Sequence, residues 1–381
     1  MNKLKLLSTF LLLSTIFSLT SCSNIPSTST DKLSEDYLLA LTELDVVDFH
    51  TELQKSYLND EYSTVLNYAK GDKEESRPNA VYFEWEAICK KQEASDIKNY
   101  KLMISEDESF SKYLSFTTSE TFFDVYNLKI ATTYYWKVVA NLADGYKVVS
   151  EVDEFKTMEY GPRNLYVDGI TNVRDLGGWN ASEGRVKQDM IFRSGRFNKS
   201  ESDKVEVEVT FEGIDTMLNI LNVKSEIDLR RVDNNEIGSI TSSPISEDVN
   251  YFSCPMNWEG SNILLDNVEM VKKVFTILAD QNNYPIVYHC NIGTDRTGLF
   301  AYLINGLLGV SEKDLYTDYL FSNFGLINGT REIKGIEKSY VATVKSYQGT
   351  TLSEKIQNCL IDLGIKENHI KSIKEIMGDS N

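Results

Sequence analysis

Histidine is nearly missing from this 381-residue chain, with only His50, His289 and His369. A histidine-built metal centre is therefore poorly supplied. The five cysteines (Cys22, Cys89, Cys254, Cys290 and Cys359) are too widely spaced for a zinc-ligand pattern or a disulfide framework. No metal and no other cofactor is expected. Proline is scarce, at six residues, and 41% of the chain is hydrophobic, so disorder is expected only near the N-terminus. Positive charge is also short: 39 Lys and Arg face 57 Asp and Glu, for a net charge of −18. That balance excludes a nucleic-acid partner, which would need a basic surface. It also repels anionic membranes and acidic peptides at long range, subject to salt screening. Beyond the opening residues, no apolar run approaches the roughly 20 residues that a membrane-spanning helix needs. The length leaves room for two or three domains.

What is present begins at the N-terminus. Lys3 and Lys5 precede a Leu-, Ile- and Phe-rich stretch ending in Leu19-Thr-Ser-Cys22. A basic start, a short apolar core and small residues at its end form the pattern of a secretory signal. Leu-Thr-Ser-Cys resembles the bacterial lipoprotein box, which implies lipidation of Cys22 as the first mature residue. An ordinary signal cut near Ser21 or Ser23 is the alternative reading. The expectation is a signal over 1–21, a flexible tether over 22–31, and an extracytoplasmic protein lipid-anchored to a bacterial cell membrane.

Residues 32–58 carry Leu38, Leu41, Leu44 and Val47 at near-helical spacing, which predicts a helical segment. Over 59–158 the pattern turns strand-like, in aromatic-rich segments such as 81–85, 100–104, 121–125, 133–139 and 149–155. That predicts an all-β sandwich. Trp85 on an early strand, Leu128 before a Thr-Tyr-Tyr-Trp strand and the closing Phe155-Lys-Thr157 resemble fibronectin type III domains. The resemblance implies a spacer or docking module. Trp85 and Trp136 are read as core rather than as a sugar-binding surface.

Residues 289–298 read His-Cys-Asn-Ile-Gly-Thr-Asp-Arg-Thr-Gly. A short apolar run, 284–289, precedes them as a buried strand; 297–308 follows as a buried helix. Backbone N–H groups in a strand–loop–helix turn converge on one point, and the helix dipole adds positive character there. The loop Asn291, Ile292, Gly293, Thr294, Asp295 and Arg296 is thus a candidate phosphate cradle. The same field favours thiolate at Cys290, a nucleophile for phosphorus. Arg296 offers a fork for two phosphate oxygens. Thr297 can donate to the sulfur as it leaves, and His289 is expected to support the loop. Strands near 190–192, 224–228, 251–255 and 286–289 alternate with helices near 211–221, 264–280, 297–308, 312–322, 352–363 and 367–377. An α/β fold follows, a mostly parallel sheet flanked by helices over 162–381. Segment 326–351 is expected to be a lid or a substrate-facing insertion.

His-Cys, five residues, then Arg-Thr-Gly resembles the cysteine-based protein tyrosine phosphatase superfamily. Asn172-Val-Arg-Asp-Leu-Gly-Gly178, Ile191-Phe-Arg-Ser-Gly195 and Glu226-Ile-Asp-Leu-Arg230 resemble ordered motifs of the bacterial tyrosine/serine phosphatase family, some of whose members also act on phosphoinositides. The resemblance implies a phosphocysteine intermediate formed on Cys290 and a carboxyl group that protonates the leaving oxygen. Asp228 and Asp295 are the candidates for that acid. Asp175 is read instead as the partner of Arg174 at a turn eased by Gly177 and Gly178. Arg193 and Arg230 are read as supporting the phosphate or Asp228. Relatives often carry lysine where this chain has Thr294, so specificity for polyanionic head groups does not simply transfer. A phosphotyrosine or dual-specificity protein phosphatase is the leading expectation, with a phosphoinositide or inositol-phosphate phosphatase as alternative. From another class, a non-catalytic phospho-ligand binding or adhesion lipoprotein would fit the same tether.

Overall fold

Alternation along the strands builds the first of two compact units. In a computed structural model, which describes residues 32–198, 208–232, 236 and 240–378, this unit comprises residues 32–47, 81–125 and 132–157. Its strands are β1 (Tyr37–Leu41), β2 (Val46–Val47), β3 (Val81–Cys89), β4 (Ile97–Ser105), β5 (Leu114–Thr118), β6 (Phe122–Val125), β7 (Thr133–Leu142), β8 (Lys147–Val149) and β9 (Asp153–Thr157). Every second residue of β7 is buried, from Tyr134 to Leu142, as a strand with one face on a core requires. One sheet runs β1-β3-β6; the other runs β2-β9-β7-β4-β5, with β8 on β7. Their inner faces meet through Phe83, which touches Trp136 and Phe155 edge-on at centroid distances of 4.9 and 5.5 Å. Trp85 and Trp136 are buried in this core.

The segment read as helix over 32–58 is not one helix: it holds the strands β1 and β2 before a short helix. Its three-residue spacing is too short a sample to separate the periods, and β1 instead satisfies its backbone against β3, burying Leu39 and exposing Leu38. Only α1 (Glu52–Leu58) is helical there, started by a capping box between Thr51 and Gln54. Residues 59–80, together with 48–58 before them, lie outside the sandwich expected over 59–158. They belong to the second unit, together with 126–131 and 158 onward. Tyr57, Val65 and Ala69 enter that unit's main core.

The second unit is α/β. Its strands are β10 (Arg174–Asp175), β11 (Ile191–Ser194), β12 (Ser225–Asp228), β13 (Asn250–Ser253) and β14 (Ile286–His289), in the order β10-β11-β14-β12-β13. All neighbours are parallel except β10 and β11. The sheet is covered on both faces: Ile191, Ile286 and Tyr288 enter one apolar cluster, Phe192 and Val287 the other. Its helices are α2 (Phe211–Asp215), α3 (Val268–Leu278), α4 (Asp295–Leu307), α5 (Glu312–Phe321), α6 (Ile333–Ile336), α7 (Ala342–Lys345), α8 (Leu352–Asp362) and α9 (Glu367–Met377). Helix α4 is buried all round from Arg296 to Leu307, as its apolar sequence requires. The expected insertion over 326–351 is built into the core, where Ile336, Tyr340, Val341 and Val344 are buried.

Arg174 and Asp175 do not pair with each other. Neighbours on a strand point to opposite faces, so Arg174 reaches Asp318 while Asp175 accepts from Arg163 at 2.6 Å. The expectations for residues 1–31, including lipid on Cys22, lie outside the described residues. Among the described residues, no helix is long and apolar enough to cross a membrane. Truncating Phe83 to alanine is expected to destabilise the sandwich by about 3–5 kcal/mol. Urea unfolding followed by tryptophan fluorescence checks this, and a loss below ~1 kcal/mol would mean that Phe83 does not bridge the sheets.

Candidate active site

Strand β14 lies between β11 and β12 and delivers Cys290 to the carboxyl edge of the sheet, immediately before α4. The intervening loop is held from outside by its carbonyl groups. Asn172 Nδ2 donates to the carbonyls of Ile292 and Gly293, at 3.1 Å each, and to Thr294 Oγ1 at 3.3 Å. Arg193 adds a bond to the Gly293 carbonyl at 2.9 Å, and the Arg196 N–H donates to the Asn291 carbonyl. A planar trans peptide points its N–H opposite its carbonyl. Anchoring these three carbonyls outward therefore turns the N–H groups of Ile292, Gly293 and Thr294 toward the loop's centre, an anion-binding nest. Gly293 has a φ of +70°, and a Cβ there would lie 2.5 Å from the Ser194 carbonyl. No other residue fits.

Cys290 is buried at the floor of the loop. Arg296 is held by Glu236, whose two oxygens accept at 2.7 and 3.1 Å, and by the carbonyls of Leu229 and Met256. Burial alone would raise the Glu236 pKa, but Arg296 outweighs it and holds the carboxyl below its ordinary value. The Thr297 hydroxyl is buried and has no hydrogen-bond partner among the described residues. It is therefore free to donate to a thiolate. The His289 Nε2 sits 2.9 Å from Glu226 Oε1 and its Nδ1 sits 3.2 Å from the Cys290 carbonyl. Glu226, Asp228 and His289 come together beneath the loop. The Asp228 carboxylate is already taken by Arg230 and Tyr251, so this cluster has a structural explanation without an ion.

The two acid candidates stand in different places. Asp228 is fully buried, gripped by the Arg230 guanidinium at 2.7–3.2 Å and by the Tyr251 hydroxyl at 2.9 Å. Burial opposes its charge, but His289 and Arg230 outweigh that and hold its pKa below the usual carboxylate range. Asp295 is partly exposed and lines a cavity of about 550 Å³ beside the loop. There it accepts from Arg331 at 3.0–3.3 Å and from Tyr319 at 3.1 Å. Trp258, Ser261, Lys334 and Lys338 share the cavity wall. Cys254 and Cys359, by contrast, are inert core thiols that burial pushes up to about 11.

Several contributors escaped sequence reading. Glu236, Arg331 and Asp318, which receives both Arg174 and Arg193, lie far from the decapeptide in sequence or outside any motif. The acidic composition gives no sign of positive charge around the loop. Buried Arg193 and Arg196 in fact stand against it.

A thiol at the base of an inward-facing amide nest, with an arginine fork and a free hydroxyl beside it, defines a cysteine-based phosphatase site. Residues 165–372 match the model of the tyrosine phosphatase family, and the chain belongs to that family. Among curated proteins, it is 25% identical over 214 residues to a candidate tyrosine-protein phosphatase of Cupriavidus necator, a span covering 49% of this chain and 73% of that one. Among solved structures, the core catalytic domain of a PP-IP phosphatase, SIW14, from S. cerevisiae is 16% identical, covering 52% of this chain and 91% of that one, with a TM-score of 0.29. A human fibronectin type III domain is 23% identical, covering 23% of this chain and 79% of that one, with a TM-score of 0.20. Scores this low add nothing to the argument. The protein is a phosphatase hydrolase.

Replacing Asp228 with asparagine should lower the melting temperature at neutral pH and leave Arg230 unpaired. A carboxylate with a depressed folded-state pKa stabilises above its unfolded value, about 3.9, and that contribution is lost as pH falls through the folded value. The gap in melting temperature between wild type and variant should therefore close below the ordinary carboxylate range. A gap independent of pH would reject the buried ion pair.

Proposed function

We propose that this protein is a tethered, cysteine-dependent phosphomonoesterase whose main substrates are phosphotyrosine proteins. The observation that carries the reading is the loop itself: carbonyls anchored outward, Cys290 at its floor, Arg296 held ready and the Thr297 hydroxyl free. The Cys290 thiolate attacks phosphorus as the bond to the leaving oxygen breaks, and Arg296 with the loop N–H groups takes the charge on the three remaining oxygens. Asp295, at the cavity wall, gives its proton to the leaving phenoxide; Asp228 stays ionised as a brace. In the second half, Asp295 takes a proton from water, water attacks the phosphocysteine, and the sulfur leaves as a thiolate that accepts from Thr297. Inorganic phosphate departs.

Trp258, half-exposed at the cavity, offers a face for an aryl ring. The sandwich, with its fibronectin-like pattern, is read as a spacer, and lipid on Cys22 as the anchor outside a bacterial membrane. Cys290→Ser should lose at least ~10⁴-fold in kcat on an aryl phosphate. Asp295→Asn should lose about 10²-fold or more on a phosphotyrosine peptide and much less on p-nitrophenyl phosphate, whose leaving group needs no proton. An active Cys290→Ser protein would end the enzyme reading, and equal losses on the two substrates would end the role of Asp295.

A second reading has its own support. Lys334 and Lys338 lie one helical turn apart on the cavity wall, and neither forms an ion pair among the described residues. With Arg331 they suit a substrate carrying a further phosphate, such as an inositol phosphate or phosphoinositide. Replacing both lysines with alanine should raise KM for an inositol polyphosphate about tenfold and leave the phosphotyrosine peptide unchanged. Equal KM for both substrates before and after would remove this reading.

A further inference from the structure

The loop's main outer anchor, Asn172, is itself in an uncommon conformation. Its φ is +60°, in the left-handed region that non-glycine residues seldom occupy. Its side chain is committed at both ends. Nδ2 serves Ile292, Gly293 and Thr294, while Oδ1 accepts from Arg174. Its backbone N–H donates to the hydroxyl of Ser76 at 3.1 Å. Ser76 lies 89 residues before the matched family region begins at 165.

Ser76 is fully engaged and almost fully buried, at 2% exposure. Its hydroxyl donates to Glu74 Oε1 at 2.5 Å, its N–H donates to the same oxygen at 3.1 Å, and its carbonyl accepts from Asn164 Nδ2 at 2.9 Å. With its proton given to Glu74, the hydroxyl presents a lone pair to Asn172, so the direction of the bond is settled. The surrounding strap is pinned on two sides. Gln54 Nε2 donates to the carbonyls of Glu75 and Arg77, at 2.6 and 3.2 Å. On the other side Gly71 N–H donates to the Asn323 carbonyl and Glu75 N–H to the Phe324 carbonyl, at 2.7 and 2.6 Å. All of these residues belong to the second unit.

We propose that Ser76, carried by the strap of residues 71–77, is a positioning residue for the phosphate loop, acting through Asn172 on the carbonyls of Ile292 and Gly293. The catalytic unit thus begins near residue 48 rather than at its family-matched region, and the sandwich strands from Val81 to Thr157 interrupt it in sequence. Removing the Ser76 hydroxyl leaves the buried Asn172 N–H without its acceptor. The route to relief is rotation of Asn172 out of its left-handed conformation, which swings Nδ2 away from the loop. The loop N–H groups then lose their aim at the phosphate, while Cys290 and Arg296 remain in the chain.

The inference rests on the loop being the phosphate site. The test uses the full chain and four proteins: wild type, Ser76→Ala, Asn172→Ala and the double variant. The readouts are kcat and KM on p-nitrophenyl phosphate, competitive inhibition by orthovanadate and the melting temperature. Ser76→Ala should lower kcat/KM and weaken orthovanadate by about 10- to 100-fold, assayed well below its melting temperature. In the Asn172→Ala background the same change should cost nothing further, because the path it acts through is already gone. A Ser76→Ala protein with a lower melting temperature but unchanged orthovanadate inhibition would make Ser76 structural only and overturn the proposal. So would losses that add in the double variant. A wild-type chain with no phosphatase activity would instead defeat the functional reading, independently of Ser76.

Discussion

A loop that aims several N–H groups at one point must dispose of the carbonyls on the other side of the same peptides. In a buried setting those carbonyls cannot be left to water, and an unpaired one is costly. Here the demand is met by Asn172, Arg193 and the backbone of Arg196. Each of these anchors then needs its own partner. Asp318 receives Arg174 and Arg193, Arg174 also holds Asn172, and Ser76 takes the Asn172 N–H. The buried polar network around the sheet's carboxyl edge follows from that one demand. A partly satisfied network of this kind would be worse than an apolar core, and most of its polar atoms are engaged, with Arg193 Nε an exception.

The distribution of charge has the same origin. The chain is acidic overall, yet Arg163, Arg174, Arg193, Arg196, Arg230 and Arg296 are all buried in the catalytic unit. Arginine suits such positions because its guanidinium stays charged and its planar fork can serve several acceptors. The acids that balance them, Asp175, Asp228, Glu236 and Asp318, are mostly buried with them. Cys254 and Cys359 sit in apolar surroundings that disfavour their ionised form.

Much of the site could be read along the chain. The strand, loop and helix around Cys290 are contiguous, so a ten-residue window contains the thiol, the arginine, the hydroxyl and the glycine with φ +70°. The alternating strands of the sandwich were equally plain, since a period of two over nine or ten residues is unambiguous. Residues 32–47 were harder. Tyr37 to Leu41 is an unbroken apolar run, so neither period stands out over so short a span. Residues 59–80 have no strong period at all; their place in the catalytic unit depends on Tyr57, Val65 and Ala69 finding the second core.

Local order thus determined the candidate nucleophile, the candidate cradle and the two kinds of layer, because each depends on neighbours within a few residues. Tertiary structure decided the rest. It separated Asp228 from Asp295, which look alike as carboxylates near a motif and differ only in what surrounds them. It paired Arg174 with Asp318 and Asp175 with Arg163 rather than with each other. It also brought Ser76 and Glu236 to the loop's supports from distant segments. Spacing records the period of one element, whereas a hydrogen bond between elements depends on how the whole core closes. No local pattern carries that information.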